Sequence, residues 1–211
     1  MKLASALYSG IHPFNRFGLF SGSITAKLPT DLEDADALVV WGGADIHPSL
    51  YNDVNTHSGV GSEPSIRDTL EWDLMKQAVK QGIPIIGICR GGQMLCALAG
   101  GKLYQHVDKH AGGAHNVITD AGENFSVSSL HHQMMNPTGT DYELIAWSEI
   151  KRSPEYFDAR GTHEHTSTGV EPEYIYFPEI KGHAIQWHPE FHAADEPCNV
   201  WLKERWSNRG L

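Results

Sequence analysis

Two short apolar runs, each ending in glycine, constrain the fold of this chain more than any other feature. Ala37-Leu38-Val39-Val40-Trp41 is closed by Gly42-Gly43, and Ile83-Pro84-Ile85-Ile86-Gly87-Ile88 runs straight into Cys89-Arg90-Gly91. A continuous apolar run of this length suits a strand covered on both faces of a parallel sheet. Pro84 sits near its strand's start, where a missing N–H is tolerated. Between the runs, residues 62–81 read as a helix. Ser62 suits the cap and Pro64 the first turn, while Ile66, Leu70, Leu74 and Ala78 recur on one face until Gly82 ends it. A second helix is expected from Gly91 to Ala99, stopped by Gly100-Gly101. Strand, helix, strand, helix implies a parallel sheet with helices on its faces.

The second half is richer in short strands, expected at Tyr142–Trp147, Tyr174–Phe177 and His183–Trp187, with a last helix over Ala194–Asn208. Residues 150–172 are polar, hold Pro154, Gly161, Gly169 and Pro172, and read as a long loop. The 211 residues fit a single catalytic-size domain, 1–211. A net charge of −10 leaves no electrostatic footprint for a phosphate backbone, so no nucleic acid partner is expected. No stretch approaches the roughly 18 apolar residues of a spanning helix, so no membrane partner is expected. The N-terminal Met1–Tyr8 reads as a first strand rather than a signal-peptide core. Cys89, Cys96 and Cys198 make an odd count without a repeating spacing. That argues against a disulfide framework and for a reducing, cytoplasmic location.

Gly87-Ile88-Cys89-Arg90-Gly91 has the form glycine, x, nucleophile, x, glycine, between an expected strand and an expected helix. A sharp strand-to-helix turn lifts a nucleophile above the sheet edge, and only glycine fits the crowded flanking positions. The helix N-terminus behind Cys89 favours negative charge. The N–H of Arg90, next along the chain, is placed to donate to an oxyanion. Cys96 and Cys198 lack such surroundings and read as packing residues. A cysteine nucleophile needs a base, and the base needs a group that holds its tautomer. His188-Pro189-Glu190 follows the apolar segment His183–Trp187 and supplies both, since residues two apart in extended chain point the same way.

Gly87-Ile88-Cys89-Arg90-Gly91-Gly92-Gln93 and Gln186-Trp187-His188-Pro189-Glu190 together resemble the class I glutamine amidotransferase-like superfamily. Gly42-Gly43-Ala44-Asp45-Ile46-His47-Pro48-Ser49-Leu50-Tyr51 and Ser129-Leu130-His131-His132-Gln133 resemble its γ-glutamyl hydrolase branch, which includes γ-glutamyl-γ-aminobutyrate hydrolases. The resemblance implies a flavodoxin-like α/β fold: a mostly parallel central sheet, helices on both faces, and short antiparallel strands in the second half. It implies a Cys89, His188, Glu190 triad acting on a γ-glutamyl amide through a thioester, with Gly43 as a second oxyanion donor opposite Arg90. Gly42 then lines the substrate site, and Gln93, Ser129 and His131 become candidates for holding the glutamyl α-amino and α-carboxylate groups. The Arg90 side chain either contacts a carboxylate or braces the elbow.

Relatives of this branch have a helix between the first strand and the Gly-Gly strand. Here residues 9–36 include Pro13, Gly18, Gly22 and Pro29 and show no helical pattern. A trimmed crossover leaves that edge open or covered by a partner, so the oligomeric state, including a homo-oligomer, stays undecided. His110, His115, His131, His132, His163 and His165 invite a metal, but no Cys-x-x-Cys or His-Glu-x-x-His spacing supports one. No metal and no cofactor are expected. The expected partner is a small γ-glutamyl substrate or glutamine. Three functions follow: a free-standing hydrolase of γ-glutamyl amides, a glutaminase subunit passing ammonia to a separate synthetase, or a catalytically silent binding module.

Overall fold

The computed structural model describes residues 2–6, 22–27, 29–209 and 211. In chain order the described elements begin with β1 (Lys2–Ala6), β2 (Gly22–Ala26), β3 (Ala37–Val40), α1 (Ile66–Gln81), β4 (Ile85–Ile88) and α2 (Arg90–Leu98). Next come β5 (Lys102–Tyr104), β6 (His106–Val107), β7 (Ala111–Thr119), β8 (Asn124–Leu130), β9 (Met134–Asn136) and β10 (Glu143–Ser148). The chain finishes with β11 (Tyr156–Asp158), β12 (Gly161–His163), β13 (Pro172–Phe177), β14 (Gly182–Ile185) and α3 (Pro197–Asn208).

Nine strands form one sheet in the order β2-β1-β3-β4-β14-β13-β10-β7-β8. The first five are parallel, and counted among themselves they run 2-1-3-4-5, the flavodoxin-like order. From β14 outward every pairing is antiparallel. The expected α/β architecture is therefore observed, with its antiparallel strands in the second half. Alternation along the strands splits the core in two. Val39, Ile86, Ile88 and Ile185 pack under Trp201, Leu202 and Trp206 of α3. Leu38, Val40, Ile85 and Ala184 pack on the other face, under Leu74, Met75 and Ala78 of α1 and Met94 and Leu95 of α2. Burying both faces is what gives β3 and β4 their unbroken apolar composition.

Several expectations need correction. Helix α1 starts at Ile66, and its cap is Ser65 rather than Ser62: the Ser65 hydroxyl accepts the Asp68 N–H while the Asp68 carboxylate accepts the Ser65 N–H. This reciprocal box satisfies two end donors at once, which Ser62 cannot do from outside the turn. The buried face of α1 is also rotated. Ile66 is 81% and Leu70 37% exposed, whereas Asp68 and Glu71 are buried beside Leu74, Met75 and Ala78. Apolar periodicity missed this because the face carries two carboxylates, both held by Arg90. Helix α3 begins at Pro197, three residues later than expected, where Pro takes the first turn. Residues 150–172 are not one long loop. They contain β11 and β12, which join β6 in a small antiparallel sheet. Of residues 9–36, 9–21 and 28 lie outside the described residues. The remainder includes β2, which pairs in parallel with β1 and extends the sheet's edge.

Candidate active site

Three neighbouring parallel strands, β3, β4 and β14, deliver the site at their C-terminal ends, the edge where sheets of this order bind ligands. Strand β4 passes into α2 through Cys89, whose backbone has φ 50° and ψ −108°. A positive φ in a non-glycine residue is strain of order 1–3 kcal/mol, tolerated only where the surroundings enforce it. Here the Cys89 N–H donates to Ile185 O at 2.7 Å, and the Cys89 carbonyl accepts the Gln93 N–H at 3.0 Å. The turn is sharp enough that a Cβ on Gly91 would collide with the Val40 carbonyl. Cys89 is only 5% exposed, at the N-terminus of α2. The Gln186 side-chain amide lies 3.9 Å from its sulfur.

His188 stands just beyond β14. Its Nδ1 donates to Glu190 Oε1 at 2.7 Å, and its backbone N–H donates to Ser128 Oγ at 3.0 Å. The Phe191 ring stacks on the imidazole at 4.7 Å and 8°. Burial opposes a charge on this ring. Hydrogen bonding and charge attraction from Cys89 and Glu190 outweigh burial, and the His188 pKa is pushed up to about 10. The group that holds the ring's far side therefore also holds its proton. Gly42 leaves room for this ring, since a Cβ there would run into His188 Cε1.

The Gly42-Gly43 turn is fastened from behind. Arg67 Nη2 donates to both Trp41 O and Gly42 O at 3.0 Å, and its Nε donates to Glu71 Oε1 at 2.9 Å. The other oxygen of Glu71 takes Arg90 Nη1, and Arg90 Nη2 reaches Asp68 Oδ1 at 2.5 Å. Two cations and two anions alternate, so the buried charges balance. The Arg90 side chain braces the elbow through the protein's own carboxylates.

Cys89, His188, Glu190, Gly42, Gly43 and Arg90 thus converge. Gln93, Ser129 and His131 are buried, with side chains committed to protein. Gln93 Nε2 donates to Gln133 O at 3.1 Å, Ser129 Oγ to His110 O at 2.8 Å, and His131 Nδ1 to Gln133 O at 2.8 Å. Sequence reasoning missed Arg67, Asp68, Glu71, Gln186, Ser128 and Phe191. The i,i+4 spacing of Arg67 and Glu71 was visible, but such pairs usually decorate a solvated face. The three cysteines are free and buried. Among the described residues no helix is long and apolar enough to cross a membrane.

The model of the Peptidase C26 family matches residues 23–121. A putative glutamine amidotransferase-like protein, YvdE, of Lactococcus lactis is 30% identical over 186 residues, covering 79% of this chain and 70% of its own. The γ-glutamyl-γ-aminobutyrate hydrolase PuuD of Escherichia coli is 26% identical over 182 residues, covering 72% of this chain and 62% of its own. The crystal structure of a glutamine amidotransferase from Thermotoga maritima shares the fold, with a TM-score of 0.59 at 16% identity, over 100% of this chain and 85% of that one. By its sheet order and these relatives, the chain belongs to the class I glutamine amidotransferase-like family.

Proposed function

We propose that the protein hydrolyses the γ-glutamyl amide bond of small γ-glutamyl compounds through a thioester on Cys89. The observation that carries this reading is the imidazole of His188, clamped by Glu190 at 2.7 Å and raised in pKa by its neighbours Cys89 and Glu190, beside the strained backbone of Cys89. His188 takes the Cys89 thiol proton as the sulfur attacks the γ-carbonyl carbon. The carbonyl oxygen takes up negative charge, stabilised by the N–H groups of Arg90 and Gly43. The intermediate collapses as His188 gives its proton to the departing amine, leaving the γ-glutamyl thioester. Neutral His188 then takes a proton from water, whose oxygen attacks the thioester, and a second collapse releases glutamate and restores Cys89. Each oxyanion donor is typically worth about 3–4 kcal/mol, which makes the Gly42-Gly43 turn as consequential as the triad. Gln93, Ser129 and His131 shape the wall that receives the glutamyl head group, by holding the segment through Gln133.

The similarity to a γ-glutamyl-γ-aminobutyrate hydrolase supports a dipeptide-like substrate. A second reading, a glutaminase that passes ammonia to a separate synthetase, is favoured by the glutamine amidotransferase of the same fold. Purified chain offered γ-glutamyl-γ-aminobutyrate and glutamine separates them. Turnover of the dipeptide without a partner, abolished in Cys89→Ala, is expected. Glutamine turnover that needs a second protein supports the other reading. Undiminished activity of Cys89→Ala on every γ-glutamyl compound rejects both.

A further inference from the structure

Away from Cys89 the fold buries a second group of titratable side chains that take no part in the bond cleavage, and of them only His131 borders the proposed glutamyl wall. His110 precedes β7, His115 lies in β7, His131 follows β8, and Glu173 lies in β13. All are more than nine-tenths buried, and Glu173 and His110 are fully so. Glu173 Oε1 lies 2.9 Å from His115 Nε2, 3.6 Å from His110 Nδ1 and 3.7 Å from His131 Nε2. Yet among the described residues neither oxygen of Glu173, neither ring nitrogen of His115, nor Nε2 of His110 or His131 makes an aligned hydrogen bond. Unpaired polar atoms at this depth are costly.

The outer partners decide what the inward nitrogens offer. His131 Nδ1 donates to Gln133 O at 2.8 Å, so a neutral ring carries its lone pair on Nε2, facing Glu173. His110 Nε2 lies 3.2 Å from Glu171 Oε2, while its Nδ1 lies 3.6 Å from Glu173 Oε1 and 3.5 Å from Ser129 Oγ. Glu171 is itself held by the N–H groups of Arg152 and Ser153 and the hydroxyl of Tyr156. These buried nitrogens and the Glu173 carboxylate converge on one dry space, where a cation between them would give each of them a partner.

We propose that His110, His115 and Glu173, with His131 as the fourth donor, form a structural site for a divalent transition metal ion, zinc fitting best. His110, His115 and Glu173 offer ligand atoms within 4.8 Å of one another. A tetrahedral zinc with bonds near 2.0–2.1 Å sets its ligands about 3.3 Å apart, and the 2.9, 3.6 and 3.7 Å spacings from Glu173 Oε1 bracket that value. Small ring shifts close the set. The carboxylate of Glu171 behind His110 is the outer partner that metal-bound histidines require. Glu173 and Glu171 together neutralise a doubly charged ion. Sequence spacing could not announce the site, because its ligands come from three strands and the turns beside them.

The test uses the full chain, stripped with a chelator and reloaded with Zn²⁺ or Co²⁺ alone. One zinc per chain by elemental analysis is expected, with a higher unfolding temperature in zinc. The cobalt form should show tetrahedral d–d bands without a thiolate charge-transfer band. Glu173→Gln and His115→Ala should each weaken zinc at least about tenfold. Absence of stoichiometric metal in the wild-type chain overturns the proposal. So does a cobalt spectrum dominated by thiolate, which would put the ion on a cysteine such as Cys89 or the Cys198 beside His192 and Glu196, or wild-type affinity in Glu173→Gln. Should either variant fail to fold, the wild-type stoichiometry and cobalt spectrum still decide. The outcome is independent of which γ-glutamyl substrate is turned over.

Discussion

Arg67 Nη2 donates to the carbonyl oxygen of Gly42 at 3.0 Å, and so sets the orientation of the peptide between Gly42 and Gly43. In a trans peptide the C=O and N–H point in opposite directions. Drawing the carbonyl toward α1 therefore turns the Gly43 N–H away from Arg67, the sense that the proposed oxyanion role of Gly43 requires. Arg67→Met should lower kcat by about 10- to 100-fold with little change in KM, because a donor used mainly in the transition state is lost. Arg67→Lys should recover part of it. Steady-state kinetics on γ-glutamyl-γ-aminobutyrate checks the split; a change in KM alone would show that Arg67 only shapes the pocket.

Glu190→Gln should cost activity by about 10²- to 10⁴-fold, because His188 loses the anion that fixes its tautomer. It should also change the pH response. The folded pKa of His188 is raised to about 10, above the 6.5 of a free histidine. Its stabilising contribution is complete below about pH 6.5 and is lost as pH rises through about 10. Denaturation midpoints of the wild type should therefore fall across that window from this group. In Glu190→Gln the fall should move to lower pH, with the NMR titration of the His188 ring moving in step.

Arg90→Met should destabilise the fold by about 3–5 kcal/mol, since it leaves Asp68 and Glu71 buried without their shared partner. Adding Asp68→Asn and Glu71→Gln to it should restore much of that loss while leaving activity low, because Arg67 then loses its anchor on Glu71. Urea denaturation of the single and triple variants measures the difference. Ile66→Glu, on the exposed face of the same helix, should change stability by no more than about 0.5 kcal/mol.

Gly91→Ala should destabilise by about 1–3 kcal/mol or more, because its Cβ meets the Val40 carbonyl on the neighbouring strand. A relaxation of the elbow that carries Cys89 away from His188 is the expected response. Labelling of Cys89 by a thiol reagent should slow in this variant relative to the wild type. Labelling at the wild-type rate would mean that the turn absorbs the extra carbon elsewhere.

The local order of residues determined β3, β4, α2 and the elbow between them. A run of Ile and Val with a glycine at each crowded position leaves the backbone few alternatives. His188 and Glu190 were legible as a pair two residues apart, although Glu190 reaches the imidazole from a 3-10 turn, Pro189–Phe191, rather than from the extended chain expected. The rotated face of α1 was not legible, because apolar periodicity treats Asp68 and Glu71 as solvent-facing until Arg90 arrives from a different helix to neutralise them. The strands within 150–172 were hidden because β6, which pairs with β11, lies about 50 residues earlier in the chain. Arg67 behind Gly42 and the histidines around Glu173 belong to the same class. Their meaning rests on charges and lone pairs brought together over long sequence separations, which only the folded sheet decides.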